Sequence, residues 1–119
     1  MKERSEYEEQ AAVFAWSEIS VREHPELDLL QGSLNGVRLT IGQAVKAKKS
    51  GMKAGYPDCF LPIARHGYHG LFIEMKRRKG GRMSKEQIEY FEKLTAQGYL
   101  CQECKGSDSA ISILKWYLS

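Results

Sequence analysis

Asp58, Glu74 and Lys76 are the residues whose types and spacing could do chemistry together in this chain. Asp58 follows Pro57 at the head of one short apolar run, and Glu74 and Lys76 close a second run that begins near Tyr68. Side chains two apart on a strand project from the same face, so Glu74 and Lys76 share a face with Phe72 while Leu71, Ile73 and Met75 turn towards a core. Antiparallel pairing of the two runs would bring the Asp58 carboxylate towards Glu74. Two converging carboxylates suit Mg²⁺, a hard cation that takes oxygen ligands and keeps several waters. Such an ion acidifies bound water and offsets charge on a phosphate. Lys76 could orient or deprotonate that water, or neutralise the charge that develops on the phosphate. The ordinary alternative is an exposed Glu74–Lys76 salt bridge, with Asp58 capping the turn after Pro57.

The distribution of charge favours the chemical reading. Net charge is only +3, yet the segment from Arg38 to Lys85 holds twelve Lys or Arg residues and just two acids, Asp58 and Glu74. It therefore carries about +10 against about −7 for the remainder. A basic tract around two lone acids suits a polyanion such as nucleic acid, whose phosphates supply much of the binding free energy. Lys46, Lys48, Lys49, Lys53, Arg77, Arg78, Lys79 and Arg82 are the candidate contacts.

The elements that must position these residues follow an α/β pattern. Residues 5 to 22 read as a helix with Ser5 as N-cap and Ala12, Val13, Trp16 and Ile19 as its apolar stripe. A connection with Pro25, Gly32 and the turn pair Asn35-Gly36 leads to an expected strand at Val37 to Ile41. A short basic helix is expected at Gln43 to Lys49, then a strand from Asp58 to Ile63. His66-Gly67 turns the chain into the strand ending at Lys76, and the basic Arg77 to Arg82 loop with Gly80-Gly81 reads as mobile. Ser84 and Gln87 have the form of a capping box. The helix they start carries Ile88, Phe91 and Leu94 inward and ends at Gly98. A strand at Tyr99 to Glu103 and a helix at Ser107 to Tyr117 complete the chain.

The 119 residues, 42% hydrophobic and 28% charged, predict one domain, 1–119, with a single modest core. No apolar run approaches the ~20 residues of a membrane helix, and the charged N-terminus lacks the apolar core of a signal peptide, so the expected location is the cytoplasm. Three cysteines, with Cys101 and Cys104 spaced C-x-x-C, lack the further ligands a zinc site needs and read as buried thiols.

Gly55-Tyr56-Pro57-Asp58 followed by Gly70-Leu71-Phe72-Ile73-Glu74-Met75-Lys76 resembles the signature of PD-(D/E)XK nucleases. More narrowly, the chain resembles the virus-type replication-repair nuclease (VRR-NUC) domain, in its stand-alone phage or bacterial form. The shared order is a Glu/Gln-bearing first helix, a basic segment ending in Gly51-Met52-Lys53-Ala54-Gly55, the P-D and E-x-K strands, a Ser84…Gln87 helix, Gly98-Tyr99 and a terminal helix. The resemblance covers almost the whole chain except residues 22 to 35. It implies a restriction-endonuclease-like core, a mixed sheet flanked by helices, with Mg²⁺ or Mn²⁺ as cofactor. It also implies metal ligation by Asp58, Glu74, the Met75 backbone carbonyl and a first-helix Glu, with a Gln of the later helix nearby. Glu6 is the expected carboxylate because Glu6 and Gln10 reproduce an E-x-x-x-Q pattern on one helical face; Glu9 is the fallback. Gln87 is expected at the active site, although closing the capping box would also explain it.

Stand-alone members resemble Holliday-junction resolvases, which implies a homodimer cutting branched DNA with matching two-fold symmetry. Trp16, Trp116 and Tyr117 could serve that interface or simply complete the core. Two other classes remain to be weighed. One is a non-catalytic nucleic-acid-binding module; the other is a nuclease built on His66 and His69, which have no H-N-H or H-x-x-x-H arrangement around them.

Overall fold

The computed structural model describes residues 3–34 and 37–119, so the expected Asn35-Gly36 turn lies outside the described residues. Its elements, in order, are α1 (Glu6–Ser20), a short 3-10 helix (Pro25–Leu29), β1 (Gln31–Gly32), α2 (Ile41–Lys49), β2 (Cys59–Leu61), β3 (Leu71–Lys76), α3 (Lys85–Ala96), β4 (Leu100–Lys105) and α4 (Ser107–Tyr117). The strands form one sheet in the order β1-β2-β3-β4. The β1/β2 and β2/β3 pairs are antiparallel, whereas β3 and β4 run parallel and are joined through α3.

β3 organises the molecule because every one of its six residues is buried. Leu71, Ile73 and Met75 join Cys59, Leu61 and Cys104 in a core closed by Val13 of α1 and by Ala110, Leu114 and Tyr117 of α4. The opposite face is aromatic. Phe60 stacks on Phe72 at a centroid distance of 4.2 Å, and Tyr56 and Tyr99 meet Phe72 edge-on. Tyr90 of α3 then meets Tyr56, so α3 lies over this layer. The turn at His66-Gly67 forms as expected: both residues have positive φ, 53° and 83°, and Arg65 bridges Tyr68 across it.

Three expectations fail for identifiable reasons. No strand forms at residues 37–41; Thr40 instead caps α2, with its hydroxyl accepting from Gln43 N–H while the Gln43 side chain accepts from Thr40 N–H. The alternating Val37, Leu39 and Ile41 imitated a strand. Ile19 is 79% exposed, because α1 buries Glu9, Val13 and Ser17. Ile88 is exposed as well; the partly buried residues of α3 are Gln87, Tyr90, Phe91 and Leu94, so Phe91 and Leu94 turn inward as expected.

Glu9 shows why α1 took that phase. Its carboxylate accepts from the Ser107 backbone N–H at 3.0 Å, at the start of α4, and from Arg78 Nε at 2.9 Å just beyond β3. One buried side chain thus ties α1, β3 and α4. Burial pushes the Glu9 pKa up, but the Ser107 and Arg78 hydrogen bonds outweigh it and hold the group below its ordinary 4.5. A depressed folded-state pKa contributes stability above the unfolded value that is lost as pH falls through the folded one. Glu9→Gln is therefore expected to lower stability at pH 7 by ~1–2 kcal/mol in denaturant titrations. The gap to wild type should narrow as pH falls below about 4.5.

Candidate active site

Asp58, Glu74, Lys76 and Gln87 come together on the aromatic side of the sheet, at the C-terminal end of β3. Cys59 pairs with Ile73, so Asp58, one residue earlier, comes opposite Glu74. Both carboxyl residues are buried, at 7% and 1% exposure, and Lys76 is buried with them. β2 ends before it can pair with Met75. The Asp58 carboxylate takes its place, accepting from Met75 N–H at 2.8 Å. The N–H and C=O of a strand residue point to the same neighbour, so the Met75 carbonyl also faces this gap. Asp58 therefore has a structural task, but across the strand to Met75 inside the site rather than as the cap of the turn after Pro57.

The first turn of α3 completes the cluster. Ser84 N–H and Lys76 Nζ both donate to Gln87 Oε1, at 2.7 and 3.1 Å. Gln87 Nε2 donates in turn to Glu74 Oε2 at 3.0 Å, so Gln87 closes the capping box and contacts Glu74 at once. Gly55 allows this approach: it has φ +86°, and a Cβ there would lie 2.7 Å from Glu86 Cβ. Gly81 similarly lets the Arg77–Arg82 segment fold onto Lys76, since a Cβ there would lie 3.2 Å from Lys76 Cβ.

The site is electrostatically frustrated. Lys76 Nζ lies 3.7 Å from Glu74 Oε2 and 4.0 Å from Glu6 Oε1. Glu74 Oε1, by contrast, is buried without a hydrogen-bond partner. Burial, then the adjacent Asp58 carboxyl, pushes the Glu74 pKa up to about 9 against the pull of Lys76. An unpartnered carboxylate oxygen beside a second carboxylate fits a divalent cation. Among the described residues no group of three or more His, Cys, Asp or Glu side chains could hold a metal ion. The donors that could meet a cation here are two carboxylates and a carbonyl, a set that would leave positions for waters or phosphate oxygens as Mg²⁺ prefers.

The remaining candidates divide. Glu6 lines the cleft over Asp58, Glu74 and Gln87, a space of about 570 Å³. Glu9 does not; it is the buried tie described above. Lys48 lines the cleft, and Lys46, Lys49, Lys53, Arg77, Lys79 and Arg82 are exposed. Arg78 departs from its expected role, being engaged by Glu9, Asp108 and Ser107. Tyr117 is not a spare interface residue either: it is fully buried and its hydroxyl donates to Ile63 O. Trp16 packs against the core, and half-exposed Trp116 stacks on His66, giving that histidine a structural partner. Sequence reasoning missed the wall of the cleft formed by Leu39, Ile41, Ala44, Val45, Met52 and Tyr56. The i, i+3, i+4 spacing of Ile41, Ala44 and Val45 carried that signal, masked by the lysines interleaved with it.

The three cysteines are free thiols. Burial pushes Cys104 up to about 11 and raises Cys59 further, so both are protonated thiols at neutral pH. No helix among the described residues is long and apolar enough to cross a membrane.

Residues 1–108 match the VRR-NUC domain family. A solved structure titled VRR_NUC domain protein aligns with a TM-score of 0.80 and 35% identity, over 99% of this chain and 91% of that one. No curated protein matches at a significant level. The chain belongs to the VRR-NUC domain family, with a four-stranded mixed sheet flanked by helices and a nuclease-type function.

The frustration makes a prediction that needs no substrate. Free Glu ionises near 4.5, whereas folded, metal-free Glu74 keeps its proton to about pH 9. Between those values the folded state binds more protons, so stability falls as pH rises. In EDTA at pH 8, Glu74→Gln is expected to melt ~5 °C or more above wild type, the shift of about 1 kcal/mol in a domain of this size. At pH 5 the difference should vanish. A variant that melts below wild type at pH 8 contradicts the frustrated site.

Proposed function

We propose that the chain is a metal-dependent endonuclease of the PD-(D/E)XK type that hydrolyses phosphodiester bonds in branched DNA, such as four-way junctions, as a homodimer. The observation that carries the catalytic reading is the buried, unpartnered Glu74 Oε1 beside Asp58, with Lys76 bonded into the same cluster. Asp58, Glu74 and the Met75 carbonyl would hold Mg²⁺ or Mn²⁺, with Glu6 at the mouth of the cleft. When bound, the ion supplies positive charge to the phosphate and acidifies water.

The protein's own groups account for the rest. Gln87 holds Glu74 Oε2, which leaves Oε1 as the oxygen without a hydrogen-bond partner. Lys76, fixed through Gln87 Oε1 within 4.0 Å of both Glu74 and Glu6, is placed to orient the attacking water and to meet charge developing on the phosphate. Its burial keeps that geometry from being spent on solvent. The exposed lysines and arginines around the cleft would attract the phosphate backbone whatever its sequence. Two copies related by a two-fold axis would match the symmetry of a four-way junction.

Labelled duplex, flap, splayed and four-way DNA, incubated with Mg²⁺, Mn²⁺ or EDTA, tests this reading. Wild type is expected to cut the four-way substrate with either metal and not in EDTA, with Glu74→Ala and Lys76→Ala slower by at least ~100-fold. Absence of cleavage with both metals, or undiminished cleavage by both variants, would favour a non-catalytic binding module. Faster cutting of flap or duplex would move the substrate, and a purely monomeric protein at micromolar concentration in light scattering would remove the homodimer.

A further inference from the structure

The cleft is chemically two-sided. Its floor is Asp58, Glu74 and Gln87, with Glu6 beside them, whereas the facing wall is apolar: Leu39, Ile41, Val45, Met52, Ala54 and Tyr56. α2 buries none of its residues, so core packing does not explain why Ile41 is 87% and Val45 48% exposed. Lys48 is the cation among the lining residues. A paired duplex presents phosphates and sugars outward and gains little from such a wall. A base withdrawn from its stack presents an apolar face that aromatic and aliphatic side chains can cover. The volume, about 570 Å³, lies within the ~300–1,000 Å³ of sites for small molecules, room for a nucleotide unit rather than a helix.

A second groove, of about 630 Å³, meets the first at Glu6 and is lined by Tyr7, Arg38 and Arg77. An apolar wall, two carboxylates and a cationic groove therefore follow one another along a single track. Tyr7 is 58% exposed there, an open ring beside two guanidinium groups.

We propose that the cleft seats an unpaired base adjoining the scissile phosphate against Ile41, Val45 and Tyr56, while the strand continues past Glu6 along Arg38, Arg77 and Tyr7. The site thereby selects an unstacked nucleotide at the point of cleavage, an inference that rests on the nuclease reading above.

The test uses 2-aminopurine placed either in a single-nucleotide bulge or in the same sequence fully paired, with binding followed in EDTA and cleavage in Mg²⁺. Wild type should bind the bulged DNA about tenfold more tightly than the paired DNA, with a fluorescence change on binding. Ile41→Ser/Val45→Ser should lose that preference while keeping its melting temperature, because neither residue is buried. Ile19→Ser, on exposed α1 surface outside the cleft, should retain it. Equal wild-type affinity for both DNAs overturns the proposal, as does an undiminished preference in the double variant. Conversion of a wild-type dimer to a monomer by the double variant, with the bulge preference intact, would assign the apolar wall to a second copy and also overturn it. Cleavage without bulge preference defeats this inference and leaves the nuclease reading standing. Preference in EDTA without cleavage in Mg²⁺ defeats the nuclease reading and, with it, this inference.

Discussion

The Glu74 carboxylate lies on a strand buried along its whole length, where water cannot answer its charge. Neighbouring groups must do so, and each neighbour is fixed by a different part of the fold. Antiparallel β2 delivers Asp58, the first turn of α3 delivers Gln87, and β3 itself delivers Lys76 two residues along. Their sum does not balance. One oxygen of Glu74 stays unpartnered, and the Asp58 carboxyl beside it adds to the deficit. A buried carboxylate left in this state opposes folding at neutral pH, and this is the imbalance that the proposed cation would relieve.

Glu9 supplies the comparison within the same molecule. It is as closed to solvent as Glu74, yet its two oxygens are met by the Ser107 N–H and Arg78, and its pKa falls rather than rises. Two carboxylates closed to solvent with opposite shifts separate scaffold from candidate site: satisfied charge holds α1, β3 and α4 in register, while unsatisfied charge marks the cleft end. The scaffold also serves the site. Glu9 fixes the α1 turn that carries Glu6, and Arg78 anchors the chain just beyond Lys76.

Much of this was legible in the residues. Alternation along Leu71 to Lys76 gave the correct faces of β3, and Ser84 with Gln87 gave the start of α3, because both signals are local and periodic. The P-D and E-x-K placements brought Asp58 and Glu74 together, since antiparallel register leaves little choice once the turn at His66-Gly67 is recognised. Less visible were pairings over long sequence separation. Nothing local indicates that Arg78 reaches Glu9, or that Tyr117 reaches Ile63, so Arg78 read as a phosphate contact and Tyr117 as a spare aromatic. The stripe of α1 holds at Val13 and Trp16 but fails at Ile19, because a buried Glu9 and Ser17 look polar until their partners are known. Residues 37–41 alternated like a strand, and the Thr40–Gln43 box that starts α2, equivalent in form to that at Ser84, outweighed the alternation.

The central claim is that Glu74 is a protonated acid in the metal-free protein and a cation ligand in the working one. Calorimetric titration of Mn²⁺ at pH 7, repeated in buffers of different ionisation enthalpy, measures this directly, because ion binding must expel the proton that Glu74 holds. The account predicts saturable binding with about one proton released per ion, and loss of both binding and proton release in Glu74→Gln. Binding that persists in Glu74→Gln, or that releases no proton in wild type, would contradict it.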